Sequence, residues 1–258
     1  MPVDTIVVVR EVWDTRDLVG QVLDDAGAIK PGAVATRFEP EDLNALEIAL
    51  RLKDAQGGKV TVIAAGEPRG VEVLREALYR GADAVIQVKA DPLALDEQAM
   101  AAAYASAIRE AGSFGLILTG TTVVDGSNSL LAAHLAAELG LEQVSWVDAV
   151  EEVTATHATA KRAIEMGYES VQVPLPAVLS VGVALLEDDP RAPRSAKAML
   201  KLKMKKVAIP AHTPPAAEPT TRTLGRIAVP ARVIESRKVD AESESDLKAM
   251  MDEARKGA

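Results

Sequence analysis

Four short apolar runs, each followed by a stretch with helical periodicity, constrain this chain more than any other feature. They lie at residues 5–9 (TIVVV), 59–65, 84–88 and 114–119. Branched aliphatic residues fill them with little polar alternation, the mark of strands covered on both faces. After the first, residues 39–56 open with Pro40, Glu41 and Asp42. They carry Leu43, Leu46, Ile48, Ala49, Leu50 and Leu52 as an apolar face and stop at Gly57 and Gly58. Proline in the first turn, acids at the positive end and glycine past the last turn punctuate a helix. Residues 69–80 form a second helix closed by Gly81, residues 96–111 a third carrying Tyr104 and Ile108 inward, and a fourth starts near Asp125. Residues 3–140 thus read β-loop-α-β-α-β-α-β-α, with residues 16–38 a long loop or hairpin. That alternation specifies an α/β fold, a doubly wound and mostly parallel sheet of Rossmann-like type.

In such a sheet a ligand sits in the crevice beyond the carboxyl ends of the strands. Here those ends are residues 8–10, 64–66 and 120–128, so Val8, Arg10 and Ala65 converge with the longest loop. That loop holds Gly120, Thr121, Thr122, Val123, Val124, Asp125, Gly126, Ser127, Asn128 and Ser129, and runs into Leu130 and Leu131. A strand, a small-residue turn and a helix start expose backbone N–H groups to an anion. Neither G-x-G-x-x-G nor G-x-x-x-x-G-K-[ST] is present, and an ordinary helix cap at Asp125 accounts for the same residues. Arg10 is placed to neutralise a phosphate, although an arginine after a first strand more often forms a surface ion pair.

Beyond residue 144 the pattern changes to short Thr- and Val-rich runs at 145–150, 152–158, 160–166 and 170–173, with Gly167 and Tyr168 as a hairpin turn. Two prolines in VQVPLPAVLSV (171–181) direct that stretch to a sheet edge or a strand start. A β-hairpin addition that returns to the main sheet is expected. A loop and short basic helix follow to residue 206, then a Pro/Ala-rich extended stretch and a charged amphipathic helix in the last twenty residues.

Composition closes off other chemistries. Aromatic residues are 3% and the formal net charge is −9, which argues against a nucleic-acid binder. There is no cysteine, and the three histidines do not cluster, so no thiolate or metal site is expected. The N-terminal residues lead straight into a strand-like run, and no apolar run approaches the ~20 residues of a membrane span. A cytoplasmic location without direct membrane insertion is the expectation.

Five segments together resemble the β subunit of electron transfer flavoproteins: FEPEDLNALEIALRLK (38–53), GKVTVIAAG (58–66), REALYRGAD (75–83), EMGYESVQVPLPAV (165–178) and AMLKLKMKK (198–206). Their order and spacing match over nearly residues 3–209. The resemblance implies an adenine nucleotide α-hydrolase-like core over residues 1–209, with a hairpin and a partner-recognition loop. It makes residues 210–258 an extended arm and helix that packs on an α subunit.

It further implies an electron carrier rather than an enzyme. FAD would be shared with the α subunit, and AMP, or a second FAD in a bifurcating system, would occupy the β-subunit site. Dehydrogenases would be the donors and a quinone reductase the acceptor. The implied nucleotide site is Val8, Arg10, Glu39, Pro40, Glu41, Asp42, Ala65 and residues 120–131. At two places the residues depart from the family pattern: Glu39 replaces the usual asparagine, and DGSNSLL (125–131) replaces D-G-D-T-[GA]-Q-V. The implied recognition residues are Arg191, Arg194, Ala196, Met199 and Leu200, in a stretch lacking the family's leucine anchor. The alternative on the same core is a universal-stress-like adenine-nucleotide-binding regulator with no redox role.

Overall fold

The computed structural model describes residues 2–18, 20–25, 27–66, 70–125, 129–182, 190–192, 209–221 and 243–256. Residues 67–69, 126–128, 183–189 and 193–208 lie outside them, and with them the expected basic helix before residue 206.

The strands are β1 (Thr5–Val9), β2 (Glu11–Trp13), β3 (Thr36–Phe38), β4 (Val60–Ala65), β5 (Ala84–Val88), β6 (Leu116–Gly120), β7 (Glu142–Val153), β8 (His157–Ile164), β9 (Gly167–Pro174), β10 (Ala177–Val181) and β11 (Ala211–His212). The helices are α1 (Pro40–Gln56), α2 (Val71–Arg80), α3 (Glu97–Ala111), α4 (Leu131–Leu139) and α5 (Glu244–Lys256). Among the described residues nine strands form one sheet in the order β11-β5-β4-β1-β6-β10-β7-β8-β9, while β2 and β3 make a separate antiparallel ribbon. From β11 through β7 all pairings are parallel; β7-β8 and β8-β9 are antiparallel.

Side-chain alternation along the strands splits the core into two layers. Val7 and Val9 of β1 face α1 and α2, packing with Leu46, Leu50 and Leu74. Ile6 and Val8 face α3 and α4, packing with Tyr104, Ile108 and Leu135. The chain winds β1-β4-β5 outward with α1 and α2 on one face. It then crosses with α3 on the other face to β6, on the opposite flank of β1. The strand order therefore reverses between β1 and β6, which is where an α/β sheet opens a crevice.

The two prolines lie where such residues are tolerated: Pro174 ends β9, the edge strand, and Pro176 directly precedes the start of β10, which is buried between β6 and β7. Two expectations change. The hairpin turn is Glu165 and Met166, and Gly167, with φ 143°, already begins β9. Helix α4 begins at Leu131 rather than near Asp125.

The first compact unit runs to Thr223 and so includes the stretch read as the start of an arm. Ala211 and His212 pair with Gln87 and Val88. Thr220 and Thr221 donate to the Asp96 carboxylate, which also caps α3 through the Ala99 N–H. The second unit, from Leu224, contains α5, whose Leu247, Met250 and Met251 recur at helical spacing. No helix among the described residues is long and apolar enough to cross a membrane.

Candidate functional site

The β2-β3 ribbon brings the site together. Glu11 pairs with Phe38, and the Glu39 N–H donates to the Arg10 carbonyl at 3.1 Å. A segment almost thirty residues downstream is thereby folded back onto the end of β1. Pro40 then starts α1, and the acids of its first turn overhang the crevice between β1 and β6. Acids are favoured at a helix N-terminus, but these do not cap their own helix: Glu39 makes no side-chain cap.

Their carboxylates reach across to the loop after β6. Asp42 Oδ1 accepts the Gly120 N–H at 2.6 Å. Glu41 Oε2 accepts those of Thr121 at 2.9 Å and Thr122 at 2.5 Å. Glu39 Oε2 accepts that of Val124 at 3.0 Å. Further along, Glu97 from α3 accepts the Leu130 N–H at 2.7 Å and the Ser129 hydroxyl at 2.6 Å. Ser129 Oγ in turn accepts the Leu131 N–H, and Asp125 accepts that of Trp13 at 2.8 Å. Asp125 therefore neither caps α4 nor stands free as a base.

Arg10 is the cation at the centre. Its Nε and Nη2 grip both oxygens of Asp42 at 2.9 and 2.8 Å, its own N–H adds a third bond, and Nη2 donates to the Thr122 carbonyl. The Asp42 side chain is fully buried and that of Arg10 is 15% exposed, so this is an interior pair, not a surface one. Burial works against the Arg10 charge, yet Asp42 outweighs it and holds the guanidinium above its ordinary range. Burial also pushes the Glu39 carboxyl up, against the Val124 N–H, and Glu39 Oε1 has no partner among the described residues. Gly120 is required by space: a Cβ there would lie 2.7 Å from Asp42 Oδ1 and 2.9 Å from Arg10 Nη2.

Of the other expected residues, Val8 and Leu131 are buried in the α3/α4 layer, where their side chains pack. Ala65 donates its N–H to the Tyr104 hydroxyl at 3.1 Å, and burial raises that phenol well above its usual range. Val124 and Leu130 are exposed, Val123 and Pro40 half-buried. Gly126, Ser127 and Asn128 lie outside the described residues.

Arg191 does not project as a free recognition group. Its Nε and Nη2 hold the Glu47 carboxylate of α1, and Nη1 holds Asp54 at 2.7 Å. Arg194, Ala196, Met199 and Leu200 fall outside the described residues. Sequence reasoning missed Glu97, and also Ser180, whose hydroxyl accepts from Thr121 Oγ1 at 3.2 Å. Glu97 was legible only as a first-turn acid of α3; nothing local says that it reaches another loop. Among the described residues no cluster of His, Asp or Glu could hold a metal ion.

Comparison with known proteins supplies the family. Residues 28–215 match the electron transfer flavoprotein domain. The chain is 33% identical over 176 residues to the electron transfer flavoprotein subunit beta of Thermoanaerobacterium thermosaccharolyticum, covering 68% of this chain and 66% of that one. It is 34% identical over 183 residues to Protein FixA of Bradyrhizobium diazoefficiens, covering 68% and 63%. To the subunit beta of Syntrophomonas wolfei it is 34% identical over 209 residues, covering 81% and 79%. The first two alignments span just under two thirds of those relatives. The matched residues take in β6, the hairpin and β10, and on this match the chain belongs to the electron transfer flavoprotein family, among its beta subunits.

Proposed function

We propose that this chain is the β subunit of a cytoplasmic, heterodimeric electron carrier, and that it performs no bond-making chemistry of its own. An α partner would hold FAD near the shared interface, and this chain would supply part of the wall around it. Electrons would arrive from dehydrogenases and leave to an acceptor such as a quinone reductase. The observation that carries this reading is the antiparallel extension β7-β8-β9 beyond the parallel core. The first four residues of β9 are exposed in succession, hence on both faces, and Ile164, Met166 and Tyr168 are exposed at the hairpin end. A stand-alone nucleotide sensor needs no such projection, so the universal-stress-like alternative is set aside.

FAD would supply the one-electron and two-electron steps when bound, and this chain's part is to pair, position and exclude water. The β site itself would take AMP or, in a bifurcating system, a second FAD, in the crevice between β1 and β6. Among the described residues, the N–H groups of Thr121, Thr122, Val124 and Leu130 at that crevice donate to carboxylates of the same chain.

Co-production with a flavin-bearing α partner tests the proposal. A yellow heterodimer with a flavin spectrum is expected, with one flavin if the β site takes AMP and two if it takes FAD; a colourless, stable homodimer would overturn the proposal. Donor recognition by the stretch after residue 189 is part of the same proposal. Alanine substitutions over residues 190–200 should alter reduction rates by a dehydrogenase, and unchanged rates throughout would remove that part.

A further inference from the structure

We infer that Trp146 and Asp148 form a receptor for an arginine side chain of the flavin-bearing α partner, the guanidinium lying on the indole and pairing with the carboxylate. The inference rests on the β-subunit reading for the identity of the partner, while the site rests on this chain alone. Between Leu179 and Val181 strand β10 advances two residues, whereas β7 advances three, from Val144 to Val147, so β7 carries an extra residue there. Such a bulge re-aims a side chain. Trp146 sits in it with φ 59°, a left-handed backbone that a bulky residue adopts only at a cost. That conformation does not bury the side chain: Trp146 remains 39% exposed.

Asp148 is the other half of the site. It is 7% exposed, and its carboxylate has no hydrogen bond or ion pair among the described residues. A carboxylate withdrawn from water without a counter-charge is costly, and a cation brought by a partner offsets that cost. Arg51 and Glu151 line the same cleft between α1 and β7, but Arg51 holds Glu47 at 2.8 Å and Glu151 accepts the Ser170 hydroxyl at 2.9 Å. The indole and the carboxylate meet at Gly182. A Cβ there would lie 3.4 Å from Asp148 Oδ1 and 3.5 Å from Trp146 Cε3, so one side chain can touch both. The Gly182 backbone is held in place: its N–H donates to the Val147 carbonyl at 3.1 Å, and its carbonyl accepts from Asn44 Nδ2 at 3.3 Å. An aromatic face beside an unpaired carboxylate suits a guanidinium, which stacks through its plane and donates two N–H bonds from its edge. The location suits the α partner. Val147, Arg162 and Glu169 form one row across β7, β8 and β9, and Trp146 and Tyr168 each come one residue before it in strands that run the same way. Both are exposed, so the site adjoins the hairpin end.

Trp146 reports its own occupancy, because Trp13→Phe leaves it the sole tryptophan of the chain. The full chain in that background is titrated with arginine amide and, at matched ionic strength, with uncharged citrulline amide. Arginine amide should shift the Trp146 emission, citrulline amide should not, and Asp148→Asn should abolish the response. No response, or one shared by citrulline amide or kept in Asp148→Asn, would overturn the inference. Adding the α partner should then quench Trp146, and Asp148→Asn and Trp146→Asn should each bind that partner at least about tenfold more weakly. Asparagine tolerates the left-handed backbone, so Trp146→Asn should not lower the unfolding midpoint of the isolated chain. A lowered midpoint would make the indole part of this chain's own core, and unchanged affinities would remove the receptor; either result overturns the inference. Among arginine-to-lysine replacements on the α partner, one should weaken binding to the wild-type chain and lose that effect against Asp148→Asn. If none does, the arginine is wrong. A chain that answers arginine amide but forms no flavin-bearing heterodimer would overturn the β-subunit reading, and with it the partner named here, while the site itself stands.

Discussion

Asp42 concentrates the energetics of the crevice in one side chain. It neutralises Arg10, receives the Arg10 and Gly120 N–H groups, and is fully buried. Two charges removed from water together gain little over an apolar pair, but removing one partner strands the other. Asp42→Asn keeps the shape and deletes the charge, leaving the Arg10 guanidinium buried without a counter-ion. The expected cost is about 3–5 kcal/mol, read as a lowered urea midpoint at unchanged slope. A loss below about 1 kcal/mol would show that water reaches Arg10 and that the pair is not interior. Arg10 was legible at the crevice from the strand pattern, and Asp42 only through the family resemblance. Their pairing was not, because it depends on the β2-β3 ribbon returning Glu39 to Arg10.

At the scale of elements, the strands and helices of the first 140 residues could be read because each announces itself locally, by branched apolar runs or capped apolar faces. The return of β10 to the main sheet could be read as well, but not its place between β6 and β7, because that depends on long-range pairing with strands on either side. The short β11 was hidden for the same reason, since two residues have no period. Segment 190–192 is fastened to α1 by Arg191, which offers a pH-dependent test. Burial works to raise the Glu47 carboxyl, but hydrogen bonds from Arg191 and Arg51 prevail and hold it below its ordinary value. A depressed folded-state value means stability that is present above the unfolded value, about 4.3 for a glutamate, and lost as pH falls through the folded one. Arg191→Ala should therefore cost about 1–2 kcal/mol at neutral pH. The gap from wild type should narrow below the ordinary carboxylate range. A gap that stays constant into strong acid would assign the effect to packing of the arginine stem.

For the whole molecule, the sheet is finished on one side and open on the other. The β11 edge is two residues long, with His212 buried and hydrogen-bonded to Ser106 and Glu110. At the opposite edge, β9 extends past the helical layers with exposed residues on both faces, and Lys161 lies over the Tyr168 ring at 4.7 Å. Single exposed apolar residues are ordinary, but Ile164, Met166 and Tyr168 gather at one hairpin end, Ile164 and Tyr168 on opposite faces by register, and make its tip an apolar patch suited to a partner that wraps it. If this patch is where the proposed α subunit seats, it contributes to association and little to the fold of this chain. Replacing all three by serine should leave the circular dichroism spectrum and the unfolding midpoint of the isolated chain nearly unchanged. The same variant should bind the α partner at least about tenfold more weakly, a loss of about 1.4 kcal/mol or more. Titration of the flavin-bearing partner with wild-type and variant chains measures both quantities on one preparation. Equal affinities would move the interface elsewhere on the molecule, and a lowered midpoint would make the hairpin residues part of this chain's own core.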